Sequence, residues 1–248
     1  MGLTAVIGGT GLTRIPGFAL DREEQPDTPY GRPSGPLLHG RMGASNEVLV
    51  FLARHGPGHT IAPHLINYRA NLWALRDAGC THVIAVAAVG GIAPDPAPGG
   101  LAVPTQIVDY TWGREHTLYD SAEAGLAHVD FTEPYDETLR QRLLSAAARA
   151  GEPMVDGGTY GATQGPRLES AGEIDRMARD GCTLVGMTGM PEAALARELE
   201  LGYAHLAVVV NAAAGRGAGP ITMAEIEGNL QTGMAGVVNV LRSFSEAA

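Results

Sequence analysis

Residues 82–91 read His-Val-Ile-Ala-Val-Ala-Ala-Val-Gly-Gly. After His82 the run is apolar, and the pair Gly90-Gly91 closes it. An unbroken apolar run of this length is typical of a strand that is buried on both faces, as strands in parallel sheets are. We therefore predict a buried strand over residues 82–88.

Predicted strands and helices alternate on both sides of this segment. The predicted strands span residues 3–7, 47–52, 82–88, 101–110, 183–187 and 204–211. The predicted helices span residues 67–77, 135–150, 170–179, 191–199 and 222–244. Asp136 is the predicted N-cap of the second helix, and Thr222 with Glu225 forms the predicted capping box of the last. The alternation predicts an α/β fold: a single domain over residues 1–248 with a mixed, largely parallel central sheet flanked by helices.

Charge and cysteine content restrict the classes of partner. Acidic residues number 27 and Lys plus Arg 17, so the formal net charge is −10. A negative surface disfavours nucleic acids and anionic membranes as partners, and no apolar run reaches the roughly 20 residues of a membrane span. Cys80 and Cys182 lack CxxC and zinc-site spacing, which fits free thiols in a reducing compartment. We expect a cytoplasmic protein that binds small molecules and neither membrane nor nucleic acid.

Five short segments stand where predicted strands end. They are residues 8–11, 54–55, 87–91, 187–188 and 211–213. In open α/β sheets, ligands bind at the carboxyl ends of the strands. Because a parallel sheet brings these ends to one edge, we expect the five segments to form one ligand site.

Three of these segments carry groups suited to an anion. Residues 8–11 read Gly-Gly-Thr-Gly, a turn whose N–H groups and Thr10 hydroxyl suit an oxyanion; an ordinary tight turn is the alternative. Arg54 offers a guanidinium fork for phosphate, unless it is a surface arginine. Thr188 offers a hydroxyl and an N–H at a predicted helix start. The glycine turn matches neither the dinucleotide fingerprint, because Arg14 replaces its last glycine, nor the P-loop.

Other polar residues allow more than one interpretation. Glu169 precedes a predicted helix and is either a ligand-binding carboxylate or a solvated one. Asn211 ends the most apolar strand, where a buried amide needs partners that a ligand would supply. His55, His59 and His64 are close in sequence, but no HExxH motif, carboxylate or cysteine completes a metal set, so no metal is expected.

Taken in order, these segments resemble the trimeric purine nucleoside phosphorylase family, most closely its methylthio-nucleoside branch, over nearly the whole chain. The resemblance is carried by residues 8–12 (GGTGL), 28–31 (TPYG), 53–56 (ARHG), 59–61 (HTI), 67–71 (NYRAN), 164–167 (QGPR) and 187–192 (MTGMPE). One such motif would be weak evidence, whereas the ordered set is specific. The resemblance implies a nucleoside-phosphorylase-like fold and a homotrimer. It also implies an enzyme that splits a purine nucleoside with inorganic phosphate as co-substrate and needs no cofactor.

The resemblance also implies roles for individual residues. The phosphate site would comprise Thr10, Arg54, His55, Thr188 and the backbone of Ala87 and Ala88, although relatives often have Asn or Thr at the position of Ala87. The nucleoside would be contacted by Leu168 on the base face, Met187 against the ribose, Glu169 and Asn211 at the base edge, and the adjoining Ala212 and Ala213. Met223 and Ile226 would line the 5′ pocket, near His128 of a neighbouring subunit. The catalytic roles would belong to Asn211, Glu169 and Arg54.

Hydrogen-bond polarity at the base edge favours a 6-oxopurine. Asn211 would donate to O6 and accept from a protonated N7, and an ionised Glu169 would accept from N1–H. The adenine-specific branch resembles a pattern with Asp at the position of Asn211 and a second Asp two residues later, where this chain has Ala213. We favour hypoxanthine over adenine because mismatched donors leave buried groups unpaired.

The 5′ end favours a methylthio group. Ordinary members of the family have a histidine near the start of the last helix, whereas this chain has none after His205. Met223 and Ile226 supply an apolar lining instead, unless both are ordinary core residues.

The expected reaction is phosphorolysis of S-methyl-5′-thioinosine to hypoxanthine and S-methyl-5-thioribose 1-phosphate. S-methyl-5′-thioadenosine, or inosine and guanosine, are the alternative substrates. A nucleoside-binding protein without activity is a rival of another class. A nucleotide-dependent oxidoreductase is disfavoured by the missing glycine fingerprint.

Overall fold

The computed structural model describes residues 2–12, 15–120 and 125–247 of the chain. The strands in these ranges are β1 (Leu3–Gly8), β2 (Phe18–Glu24), β3 (Leu37–Met42), β4 (Leu49–Ala53), β5 (Cys80–Gly91), β6 (Leu101–Val103), β7 (Gln106–Asp109), β8 (Met154–Asp156), β9 (Thr159–Ala162), β10 (Leu184–Gly186) and β11 (Gly202–Ala212). The α-helices are α1 (Tyr68–Asp77), α2 (Glu137–Ala150), α3 (Ala171–Arg179), α4 (Gly189–Glu198) and α5 (Met223–Glu246). In the part of the chain so described, no helix has both the length and the apolar character needed to cross a bilayer.

Strand β5 is the centre of the sheet and pairs with three other strands. β1 runs parallel to its first half, and β11 runs parallel to it along the opposite edge. β10 meets its last two residues, Gly90 and Gly91, in the antiparallel direction. Six strand pairs among the described residues are parallel and four are antiparallel. The predicted mixed, largely parallel sheet is therefore confirmed.

Helices cover both faces of the sheet because β5 and β11 are apolar on both. Val83, Ala85 and Val89 of β5 pack in a cluster with buried side chains of α1 and α4. Ile84 and Val86 point the other way and pack in a cluster with buried side chains of α2 and α5. Side chains alternate between faces along a strand, so a continuous apolar run needs this double cover.

The helix starts follow their capping residues. Asp136 accepts a hydrogen bond from the N–H of Leu139 at 2.6 Å, which confirms it as the N-cap of α2. Thr222 caps α5 through the N–H of Glu225 at 3.2 Å, but the reciprocal bond of a capping box is not present. Among the described helices, α3 begins with a complete capping box, which Ser170 and Glu173 form.

The sequence patterns were wrong over residues 101–110, and they missed the strands β2, β3, β8 and β9. Residues 101–110 form two strands because the chain turns at Pro104, and β6 then pairs with β11 while β7 pairs with β9. A proline has no N–H to donate and is disfavoured inside a strand. The edge strand β2 was not predicted, because its exposed residues Phe-Ala-Leu-Asp-Arg-Glu-Glu show no alternation of apolar and polar residues.

A gap in strand pairing on one edge of β5 positions the site. Pairing with β1 ends at Ala85 and pairing with β10 begins at Gly90, and no described strand covers the edge between them. The carbonyl of Val86 on this edge accepts a hydrogen bond from Arg54 Nη1 at 2.8 Å. Since alternate residues direct their backbone groups to the same edge, the backbone N–H and C=O of Ala88 also face the gap.

Candidate active site

A cavity of about 180 Å³ lies at this gap in β5. Residues from the ends of β1, β4, β10 and β11 line it together with the middle of β5. The residues that the sequence predicts for the site and that line this cavity are Thr10, Arg54, His55, Ala87, Ala88, Leu168, Glu169, Met187, Thr188, Asn211, Ala213 and Ile226. Five segments that are far apart in the chain therefore share one cavity, as the sequence predicted.

The strand directions differ from those that the sequence argument assumed. β10 runs antiparallel to β5, with Val185 opposite Gly90. Met187 and Thr188 therefore continue in the direction opposite to that of β5. They reach the gap from its Gly90 end, whereas β1 reaches it from its Ala85 end. The site thus lies midway along β5, between converging strand ends, and not at one edge of a parallel sheet.

Arg54 is fully buried, and its guanidinium fork is occupied by a carboxylate. Nε donates to Glu192 Oε2 at 2.7 Å and Nη2 donates to Oε1 at 2.9 Å. Nη1 donates to the carbonyl of Val86. The expectation that the fork itself grips phosphate is therefore corrected: one N–H on each terminal nitrogen remains for a ligand.

The charge of Arg54 is fixed and largely compensated by its surroundings. Burial lowers the pKa of Arg54, but attraction to Glu192 and their hydrogen bonds outweigh burial and hold it above its ordinary value. Burial raises the pKa of Tyr203 well above its ordinary value, so its hydroxyl stays protonated and donates to Glu192 Oε1 at 2.9 Å. Arg54 and Glu192 together present a pair without net charge to the cavity.

Gly9 must lack a side chain because the β1 loop crosses the gap at close range. A Cβ atom at Gly9 would lie 2.7 Å from the carbonyl oxygen of Val86 and 2.8 Å from Arg54 Nη1. Backbone and a hydrogen-bonded guanidinium cannot yield easily at such distances. The Gly-Thr turn therefore brings its backbone directly against Arg54.

His55 is a neutral group with a fixed tautomer. Its Nδ1 lies 2.8 Å from the carbonyl oxygen of Ile61, and a carbonyl accepts, so Nδ1 carries the proton. Burial, followed by the charge of Arg54, lowers the pKa of His55 to about 4. Near neutral pH, Nε2 is therefore a hydrogen-bond acceptor and not a donor.

Thr188 stands at the N-cap of α4, next to the hydroxyl of Tyr160. Its side chain makes no capping hydrogen bond, and its N–H donates to the hydroxyl of Tyr160 at 3.3 Å. The residue is buried and lines the cavity. The backbone is non-helical at Met190, so the regular part of α4 begins after that residue, and Thr188 contributes its side-chain hydroxyl to the cavity wall and not a helix terminus.

Two further polar side chains, Glu169 and Asn211, line the cavity. Glu169 accepts a hydrogen bond from Thr163 Oγ1 at 2.7 Å, which leaves its second oxygen available. Asn211 donates from Nδ2 to the carbonyl of Ala212 at 2.7 Å. The second N–H of that amide and its Oδ1 have no partner among the described residues, so both remain for a ligand.

Three predicted residues do not line the cavity in the single chain. Ala212 lies beside it, His128 is exposed, and Met223 is 65% exposed in the first turn of α5. Ile221, which sequence reasoning missed, lines the cavity with Ile226. In the single chain, the first turn of α5 directs Ile226 toward the cavity and Met223 toward solvent, so the role of Met223 stays a prediction.

Glu192 was not predicted to have a role, although it is the last residue of the motif at 187–192. A carboxylate within the apolar segment Pro-Glu-Ala-Ala-Leu-Ala of α4 was the available signal, because buried charges need a partner. No group of three or more His, Cys, Asp or Glu side chains in the described ranges is arranged to hold a metal ion.

The buried ion pair predicts a large cost for its removal. Glu192→Gln leaves the charge of Arg54 buried without its counter-ion, and we expect the free energy of unfolding to fall by about 3–5 kcal/mol. Asp175→Asn is the matched control, because it removes the same charge from the exposed pair with Arg216 and should cost less than about 1 kcal/mol. Urea unfolding measures both, and equal losses in the two variants would contradict the assigned role.

Comparison with known proteins identifies similar chains. The sequence profile of the Phosphorylase superfamily matches residues 4–246. The chain is 54% identical over 248 residues to a "Probable S-methyl-5'-thioinosine phosphorylase" of Pseudomonas syringae pv. tomato, covering 100% of both chains. It is 43% identical over 242 residues to a "6-oxopurine nucleoside phosphorylase" of Pyrococcus furiosus, covering 96% of this chain and 89% of the relative. A structure of methylthioadenosine phosphorylase from Schistosoma mansoni in complex with adenine superposes with a TM-score of 0.93 at 33% identity, covering 99% of this chain and 91% of the other.

Proposed function

The chain belongs to the phosphorylase superfamily, and from that premise we propose that it catalyses the phosphorolysis of S-methyl-5′-thioinosine. The products are hypoxanthine and S-methyl-5-thioribose 1-phosphate, which makes the enzyme a pentosyltransferase of purine salvage. The observation that carries this proposal is one cavity lined both by groups suited to an anion, Thr10, Arg54 and Thr188, and by the amide of Asn211 with the carboxylate of Glu169.

Phosphate binds in the gap of β5. The two remaining N–H groups of Arg54, the hydroxyls of Thr10 and Thr188 and the N–H of Ala88 donate to its oxygens. Neutral His55 accepts through Nε2 from the P–OH group of a phosphate dianion, and an imidazolium would instead have no lone pair to offer. The site holds its anion largely by hydrogen bonds, because Glu192 compensates the charge of Arg54.

The chemical step exchanges one bond to C1′ for another. A phosphate oxygen forms the bond to C1′ as the bond from C1′ to N9 breaks, and the electron pair of the broken bond stays on the purine. Asn211 donates to O6, where negative charge develops. N7 of the leaving purine takes a proton from water, which balances the P–OH proton that the new phosphate ester releases, and Asn211 Oδ1 accepts from the resulting N7–H. Glu169 accepts from N1–H. Each such preorganised group typically lowers the barrier by about 3–4 kcal/mol.

The 5′ group is selected by an apolar lining. Ile221 and Ile226 line the cavity, and Met187 lies on its wall where the ribose would bind. Neither isoleucine offers a hydrogen bond to a 5′-hydroxyl, so a methylthio group fits the lining better. The name of the Pseudomonas relative, which is identical at 54% of positions, supports this choice.

We also propose a homotrimer in the cytoplasm that needs no cofactor. His128 is flanked by Leu126, which is 80% exposed, and Val129, which is 39% exposed. An exposed apolar segment beside a histidine suits a contact that brings His128 to the 5′ end of a neighbouring site. Two buried free cysteines support a reducing compartment. Sedimentation equilibrium tests the trimer, and a single-chain mass would contradict it.

A substrate panel tests the proposed function directly. S-methyl-5′-thioinosine, S-methyl-5′-thioadenosine and inosine are each incubated with and without phosphate, and free hypoxanthine or adenine is measured. We expect phosphate-dependent release, with the highest kcat/KM for S-methyl-5′-thioinosine. Highest activity on S-methyl-5′-thioadenosine would instead favour the activity of the Schistosoma protein. Binding without phosphate-dependent release would indicate a nucleoside-binding protein.

The same panel applied to Asn211→Asp tests the base assignment. A carboxylate accepts hydrogen bonds and cannot donate to O6, so the ratio of kcat/KM for the adenine nucleoside to that for the hypoxanthine nucleoside should rise at least about tenfold. Asn46→Asp makes the same change at an exposed position outside the cavity and should leave the ratio unchanged. An unaltered ratio in Asn211→Asp would refute the assignment.

A further inference from the structure

A second buried arginine, Arg114, lies between residues 163–164 and residues 187–190, next to the cavity. It follows β7 and is 8% exposed, yet it does not itself line the cavity. None of the hydrogen-bond acceptors that the structure describes around it is a carboxylate. A buried guanidinium without a counter-ion is costly, so its place calls for an explanation other than stability.

Its hydrogen bonds reach both strand ends that build the site. Nη1 donates to the carbonyls of Met187 at 2.8 Å and Met190 at 2.6 Å, which bracket Thr188. Nη2 donates to the carbonyls of Thr163 at 3.1 Å and Gln164 at 2.9 Å. β9 and β10 pair in parallel as far as Ala162 and Gly186. The guanidinium therefore takes over where the strand ladder stops.

The segments that Arg114 binds either carry a proposed ligand group or contact one directly. Thr163, whose carbonyl Arg114 binds, donates its own hydroxyl to Glu169 Oε1 at 2.7 Å. Thr188 stands between the two carbonyls on the other side. The side chain of Gln164 accepts from Arg114 Nε at 3.2 Å and from the N–H of Trp112 at 3.2 Å. One side chain thus links the base-edge segment to the phosphate segment.

We propose that Arg114 is a positioning residue that sets the distance between the base-edge group Glu169 and the phosphate group Thr188. This inference rests on the proposed function and extends it to a residue outside the cavity. The planar fork of arginine can bond two segments at once, whereas the ammonium of lysine is a single point. Displacement of reacting groups by about 1 Å can cost about 100-fold in rate.

Arg114→Lys, compared with Arg140→Lys, tests the proposal. Arg140 is the control because it is also buried, at 2% exposure, and also bonds two backbone carbonyls, those of Pro104 and Val103, but it pairs with the carboxylates of Glu137 and Asp156 and does not line the cavity. We expect Arg114→Lys to lower kcat/KM about 100-fold and to raise the KM values for phosphate and nucleoside together. Arg140→Lys should lower only the melting temperature.

Binding supplies a second readout that does not depend on turnover. Calorimetric titration with inorganic phosphate and with hypoxanthine should give dissociation constants at least about tenfold higher in Arg114→Lys than in Arg140→Lys. Gln164→Met, which removes one acceptor of Arg114 without changing a charge, should weaken both ligands in the same direction and decides the question if Arg114→Lys does not fold. Equal binding in the Arg114 and Arg140 variants, or in Gln164→Met and the wild type, would overturn the proposal. A wild type that binds both ligands but releases no purine would refute the proposed function while leaving this comparison decisive.

Discussion

The buried ion pair between Arg54 and Glu192 is the interaction on which the rest of the site depends. Arg54 follows β4, Glu192 belongs to α4, and a third hydrogen bond ties the guanidinium to the carbonyl of Val86 in β5. Three elements are thereby held at the edge where β5 has no strand partner. The pair is costly to bury, and this cost is offset by the bidentate geometry and by the hydroxyl of Tyr203.

Two buried arginines near the cavity, Arg54 and Arg114, have different roles in the site. Arg54 is compensated by Glu192, so it contributes directed N–H groups more than a net charge. Arg114 has carbonyl, amide and hydroxyl oxygens as its described acceptors, and it fixes the spacing of the segments that carry Thr188 and Glu169. Preorganised dipoles and hydrogen bonds suit a reaction in which charge moves from a nucleophile to a leaving purine.

Sequence patterns predict what depends on local or summed hydrophobicity, and miss what depends on distant pairing. The apolar runs of β5 and β11 predicted the sheet, and the glycine, arginine and threonine residues at strand ends predicted the cavity. The partner of Arg54 lies 138 positions away, and no periodicity relates the two residues. The antiparallel direction of β10 and the place of Ile221 in the cavity lining were also not predicted. Both depend on the path of the chain in three dimensions, which no local pattern records.

A crystal structure of the protein with inorganic phosphate and hypoxanthine bound tests the central claim most directly. We expect a phosphate oxygen within hydrogen-bonding distance of an Arg54 terminal nitrogen and of Thr188 Oγ1, with the hydrogen bonds from Arg54 to Glu192 retained. We also expect the purine edge against Asn211 and Glu169 in the same cavity. Phosphate bound away from the gap in β5, or a purine that does not touch Asn211, would contradict this claim.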